Sequence, residues 1–212
     1  MSLSDPRSRL LALLKQKSVF YGDFVLASGG RSTFYIDCKL TTLDPAGALL
    51  AGEVMEGLIR RLAAEQGKTI NAVGGLTMGA DPLALAIGMR SVRSPGAPIQ
   101  VFTVRKSPKS HGQLKLIEGN FRPGDHVVVI DDVVTKAEST FKAIEAVENA
   151  GGRVELVIAL VDREEGGSQR IKDRGYPFIA VFRREEVLAR ETGAAGTEAA
   201  RAANELLPSA GG

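Results

Sequence analysis

The chain has 212 residues, 44% of them apolar and 25% charged, an ordinary globular composition long enough for one domain with a real core, which excludes wholesale disorder and fibrous repeats. Lys and Arg number 27 against 25 Asp and Glu, too even a balance for a generally basic nucleic-acid binder. The single Cys38 excludes an internal disulfide and a multi-cysteine metal site, in keeping with a reducing, cytoplasmic setting.

Ser4-Asp5-Pro6 ahead of Leu10, Leu11, Leu13 and Leu14 predicts a capped helix with proline in its first turn. Asp5, Arg7 and Arg9 ahead of so short an apolar run argue against a signal peptide. Strands are expected from Val19 to Leu26 and from Thr33 to Cys38, joined by a turn over Ser28-Gly29-Gly30-Arg31-Ser32. Asp44-Pro45 opens a helix through Leu62, with Leu49, Leu50, Val54, Leu58, Ile59 and Leu62 at helical spacing. Ala72 to Gly75 reads as a strand end running into a glycine-rich turn, and Asp81-Pro82 as the cap of a helix from Leu83 to Arg90. The apolar stretch from Ala72 to Met89 is broken by glycines, Asp81 and Pro82, so no membrane span is expected.

Ile99 to Val104 is a strand, and Ser107 to Asn120, polar and aperiodic, a long loop of the kind that usually serves a function. A buried strand from His126 to Ile130, a turn from Asp131 to Thr140, a helix from Phe141 to Ala150 and strands over Val154–Val161 and Tyr176–Phe182 complete the pattern. Strands that alternate with helices and are apolar on both faces predict an α/β fold with a mostly parallel twisted sheet flanked by helices. From Glu191 onward the Ala, Gly and Glu composition lacks a core pattern.

The densest chemical signal is Val127-Val128-Val129-Ile130-Asp131-Asp132-Val133-Val134-Thr135-Lys136-Ala137-Glu138-Ser139-Thr140. Four aliphatics deliver two acids to the carboxyl end of a strand, where open α/β sheets bind ligands. The turn that follows opens a helix, so its N–H groups suit a phosphate, with the hydroxyls of Thr135, Ser139 and Thr140 as further donors. Carboxylates repel phosphates, so the acids call for ribose hydroxyls or a hydrated magnesium ion. A lone aspartate here would more often only cap a turn. No Gly-Lys-Ser/Thr of a P-loop is present. Beyond the Ile99–Val104 strand, Arg105, Lys106, Lys109, His111 and Lys115 form a one-sided basic run without an acid. Such runs are commonly just solvated, but cations on a mobile loop would also suit a leaving group that gains negative charge.

The acidic segment resembles the 5-phosphoribosyl 1-diphosphate (PRPP) motif of type I phosphoribosyltransferases, and Arg-Lys-x-x-Lys-x-His-Gly resembles the catalytic loop of the orotate phosphoribosyltransferases. Leu26 to Asp37 is similar to the hood segment of that family, and Leu160-Val161-Asp162-Arg163 to its late strand ending in arginine. The resemblance spans about residues 10–185. It implies a phosphoribosyltransferase core over 41–190 beneath a helix and small hood over 1–40, with a frayed or disordered tail over 191–212. It implies transfer of ribose 5-phosphate from PRPP to orotate in pyrimidine biosynthesis, with Mg²⁺ bound mainly through PRPP and water. It implies a homodimer with shared active sites and neither nucleic acid nor membrane as partner.

By the same resemblance, Asp131 and Asp132 hold the ribose and are catalytic together with Lys109. Arg105, Lys106, Lys109 and His111 contact the diphosphate, and the run Val133, Val134, Thr135, Lys136, Ala137, Glu138 and Ser139 binds the phosphate. Thr135, Arg163, Phe34 and Tyr35 contact orotate. His111 reads nearly as well as a surface residue that stabilises the closed loop. Two positions depart from the family pattern. Ala27 and Met78 stand where many relatives carry lysine, and Arg31 and Lys39 are the cations near enough to replace the first. The turn after Gly75 is expected to hold a cis peptide at Leu76–Thr77. A transferase for another base, a regulator that binds nucleic acid on the same fold and, more weakly, a signalling receiver domain remain as alternatives.

Overall fold

Asp5 caps the first helix, α1 (Pro6–Ser18), its side chain accepting from the Ser8 N–H at 3.1 Å. The proline follows where no amide hydrogen is missed. This computed structural model describes residues 5–25, 30–107 and 116–189. Strands β1 (Val19–Val25) and β2 (Arg31–Ile36) pair antiparallel, with an irregularity between Tyr21 and Phe24. A short helix α2 (Lys39–Thr42) leads to α3 (Pro45–Glu65), which Asp44 caps by accepting from the Ala46 and Gly47 N–H groups, both at 3.0 Å.

The remaining elements are β3 (Ala72–Leu76), α4 (Ala80–Ser91), β4 (Gln100–Val104), β5 (Ile117–Gly119), β6 (His126–Val134), α5 (Glu138–Asn149), β7 (Arg153–Asp162), α6 (Gly167–Asp173), β8 (Phe178–Arg183) and α7 (Arg184–Leu188). Six strands form one sheet in the order β5-β4-β3-β6-β7-β8, parallel throughout except for β5. Alternation along β6 explains the layers. Val128 and Ile130 pack with Leu10, Met55, Ile59, Leu83 and Ile87 on one face. Val127 and Val129 pack with Phe141, Ile144 and Val147 on the other.

Several expected boundaries move. Ile117–Gly119, expected as loop, pairs with Val104–Phe102 as the edge strand β5, because backbone pairing against β4 needs no apolar pattern of its own. β6 continues to Val134, paired to Asp162, so Asp131 and Asp132 lie within the strand rather than in a turn after it. α5 starts at Glu138, three residues earlier than expected. At the opposite, amino end of the sheet, buried Glu155 gathers Lys68 Nζ at 2.7 Å, His126 Nδ1 at 2.8 Å and Arg153 Nε at 2.9 Å. The expected tail lies outside the described residues.

Candidate active site

The buried aliphatics of β6 carry Asp131 to the carboxyl edge of the sheet, where it is only 6% exposed. Its Oδ2 accepts from the hydroxyls of Ser139 at 2.8 Å and Thr140 at 2.7 Å. Burial pushes the Asp131 carboxyl up to about 6, and those two hydrogen bonds oppose the rise. Asp132 accepts from the Val133 N–H at 3.0 Å; burial raises its pKa too, with the Lys39 ammonium as the main opposing charge. Ser139 and Thr140 were expected to donate to a phosphate. Their hydroxyls instead hold the acid, a role that only the wrap of α5 back onto β6 creates.

The segment after β6 is a tight turn held from behind. The Thr135 carbonyl accepts from the Gly167 N–H at 2.8 Å, and the Lys136 carbonyl from the Arg170 guanidinium. Ala137 takes a left-handed φ of 64° and caps α5, leaving Glu138 and Ser139 to start the helix. The first N–H groups of a helix lack partners within it, so this end presents donors at the same sheet edge as the acids.

A cleft of about 300 Å³ lies there, lined among others by Lys39, Thr77, Met78, Gly79, Lys106, Asp132 and Ser139. The turn over Thr77–Gly79 presses against the acids: a Cβ on Gly79 would run into the Asp132 carboxylate. The cis peptide expected at Leu76–Thr77 is found one residue later, at Thr77–Met78. Asp81 is not the cap of α4; Gly79 is. The Asp81 carboxylate instead takes the hydroxyl of Thr77 at 2.6 Å and, on its other oxygen, that of Thr103. A larger groove of about 470 Å³ between α1, α3 and β8 contains none of the expected site residues.

Of the basic run, Lys106 lines the cleft. The backbone N–H of Arg105 donates to the Leu116 carbonyl at 2.8 Å, and its guanidinium lies 3.8 Å from Glu118. Lys109 and His111 lie outside the described residues, as does Ala27. Arg163 follows directly on β7 and is nearly buried; its Nη2 pairs with Glu165 at 2.7 Å, and its guanidinium stands 5.7 Å from the Phe34 ring centroid. Its Nε is buried with no hydrogen-bond partner, an orphaned donor beside an aromatic ring from β2. Tyr35 is 39% exposed, and its ring lies 5.7 Å from that of Phe24.

Sequence reasoning missed Asp81 as part of the site, reading it as a helix cap, and placed Lys39 only as a substitute charge for the hood turn.

No family model matches the chain. The orotate phosphoribosyltransferase of Aquifex aeolicus (strain VF5) is 42% identical over 185 residues, covering 86% of this chain and 97% of that protein. Among solved structures, the Mycobacterium tuberculosis H37Rv orotate phosphoribosyltransferase in complex with Fe(III) dicitrate superposes with a TM-score of 0.75 at 36% identity, covering 87% of this chain and 100% of that one. The same enzyme in complex with PRPP gives a TM-score of 0.70 at 34% identity, covering 86% and 99% of the two chains. The sheet order is thus that of the type I phosphoribosyltransferase fold, and with nearly full-length relatives at this identity the chain belongs to the orotate phosphoribosyltransferase family.

Proposed function

We propose that this chain transfers the ribose 5-phosphate group of PRPP to orotate, giving orotidine 5′-monophosphate and diphosphate on the route to UMP. The observation that carries the reading is the pair of buried Asp131 and half-buried Asp132 set between a phosphate-type turn and a cleft lined by Lys39 and Lys106. Asp131 and Asp132 accept the ribose hydroxyls. The turn over Val133, Val134, Thr135, Lys136, Ala137, Glu138 and Ser139 takes the 5-phosphate through its N–H groups. Arg105, Lys106, Lys109 and His111 meet the diphosphate.

Arg163, with its orphaned Nε next to Phe34, receives the orotate carboxylate, and Thr135, Phe34 and Tyr35 bound the ring. The bond from ribose C1 to the diphosphate oxygen breaks as the orotate ring nitrogen bonds to C1. Positive charge gathers on the ribosyl group and negative charge on the leaving diphosphate. Lys109 answers the second charge, so Lys109→Ala is expected to cut turnover far more than PRPP binding.

The donor set fits magnesium carried by the substrate rather than by a protein cage. Among the described residues no group of three His, Cys, Asp or Glu could hold a metal, and Asp131 Oδ2 is already taken by two hydroxyls. Bound with PRPP, the ion would supply charge neutralisation on the diphosphate, with Asp131 and Asp132 reaching it through water.

A homodimer with active sites shared across its interface is part of the proposal. Leu85 and Met89 of α4 and Val92 at its C-cap lie at i, i+4 and i+7 and are 56%, 65% and 67% exposed, with Leu49 of α3 at 66%. A helix face this apolar fits a second copy of the same chain. Sedimentation of Met89→Glu is expected to give a monomer where the unaltered chain gives a dimer. A cytoplasmic setting is also proposed, in keeping with the buried, free Cys38; among the described residues no helix is long and apolar enough to cross a membrane.

Loss of orotate absorbance, dependent on PRPP and Mg²⁺ and absent with adenine, hypoxanthine or uracil, is the test. Turnover of another base instead would move the assignment to that base. Salt-dependent nucleic-acid binding without any turnover would replace the enzyme by a regulator.

A further inference from the structure

We propose that Lys39 is a substrate-contacting residue, its ammonium binding the diphosphate group of PRPP on the wall of the cleft. The inference rests on the reading of the site given above and adds a residue to it. Lys39 opens α2 at the point where the chain leaves β2, and Asp37 holds it there. Asp37 Oδ1 accepts from the Lys39 backbone N–H at 3.1 Å and lies 2.6 Å from its Nζ. An ammonium has three N–H donors, and this ion pair uses one. The side chain keeps 40% of its exposure and lines the same cleft as Lys106, Met78 and Asp132.

Charge balance makes the case. Asp131 and Asp132 bring two carboxylates to a cleft that is to receive a polyanion, and like charges in so confined a space oppose binding. The turn against Asp132 contributes no cation: Met78 is 60% exposed and offers a thioether. Among the described residues lining the cleft, Lys39 and Lys106 are the cations. Lys106 begins the basic loop, whereas Lys39 sits on the body of the molecule, anchored by Asp37. Lys39 therefore supplies positive charge from a position fixed on the body of the molecule, and its ammonium also opposes the rise that burial imposes on the Asp132 carboxyl.

The experiment is calorimetric titration of the full chain with magnesium diphosphate, alongside steady-state kinetics. The proteins are the unaltered chain, Lys39→Met, Lys39→Arg and Asp37→Asn, each checked for folding by circular dichroism. Lys39→Met is expected to weaken diphosphate binding and raise KM for PRPP by about tenfold or more, as for loss of a charge-assisted contact, with KM for orotate changed by less than about twofold. Lys39→Arg recovers most of the loss, and Asp37→Asn, which frees the ammonium, gives an intermediate one. A folded Lys39→Met that binds diphosphate within about twofold of the unaltered chain overturns the assignment. Should Lys39→Met not fold, Lys39→Gln replaces it with the same criteria. An unaltered chain that turns over no orotate overturns the functional reading itself, an outcome distinct from an active chain indifferent to position 39.

Discussion

Thr140, in the first turn of α5, donates its hydroxyl to Asp131 Oδ2 at 2.7 Å and so ties the strand carrying the acids to the helix that follows it. Thr140→Val keeps the shape and removes the donor, leaving Ser139 as the other hydroxyl on that oxygen. The variant is expected to lose about 1 kcal/mol of stability in urea melts and to raise KM for PRPP severalfold at pH 7. Thr140→Ser is expected to restore both.

Burial raises the Asp131 carboxyl from 3.8 to about 6. The native state therefore holds this proton more tightly than the unfolded chain does. The group's contribution to stability is full below pH 4 and is lost as pH rises through 6. Asp131→Asn removes the buried charge, so its melting temperature is expected to exceed that of the unaltered chain at pH 8, with the gap closing towards pH 4. Its kcat/KM for PRPP is expected to fall by about a hundredfold or more, since the proposed acceptor for ribose is gone. In the unaltered chain kcat/KM is expected to decline as pH drops below about 6, the value to which Asp131 is raised.

Gly79 has ordinary helical dihedrals, so conformation does not demand glycine there; contact with Asp132 does. Gly79→Ala is expected to displace the Asp132 carboxylate and weaken PRPP binding by about tenfold or more, while the melting temperature moves little. Equal PRPP affinity in titrations of the two proteins would show that the acid has room to yield.

Asp81 joins the Thr77 turn to β4 two residues ahead of Arg105 through its bonds to Thr77 and Thr103. Thr103→Val is expected to loosen both the turn and the start of the basic run at Arg105, raising KM for PRPP and lowering kcat together, whereas Thr103→Ser keeps the hydroxyl and the activity. Kinetics of the pair, with melting curves as the control for folding, separate a positioning role from a purely structural one.

Glu155 accepts from three basic side chains at the opposite end of the sheet, and Lys68 first, with His126 and Arg153, holds its carboxyl below the usual range. That stability is present above the unfolded value of about 4.5 and is lost as pH falls through the lower native one. Glu155→Gln is expected to cost about 1–3 kcal/mol at pH 7, with the difference shrinking in acid. Turnover is expected to stay unchanged, because the site lies at the other end of the strands.

Where the sequence was legible, the reason is local. Four aliphatics at positions 127–130 cannot face water, so they predict a buried strand, and the acids after them must emerge at its end. Proline after Asp5 and Asp44 marks two helix starts for reasons internal to each segment. The basic run and the acidic pair likewise announce themselves by composition. Edge strand β5 was invisible because an edge strand draws its stability from hydrogen bonds to a neighbour, and nothing within Ile117–Gly119 names that neighbour.

By itself the sequence determined the α/β alternation, the sheet edge at which the chemistry sits and the residue types gathered there, because hydrophobic period and charge are written along the chain. Only the tertiary structure decided that Ser139 and Thr140 serve Asp131, that Asp81 links Thr77 to Thr103, and that Lys39 of the N-terminal segment shares a cleft with Asp132 of β6. These partners stand up to 93 residues apart in the chain (132 minus 39). No local preference relates them; the parallel sheet does, by bringing the ends of β3, β4 and β6 side by side.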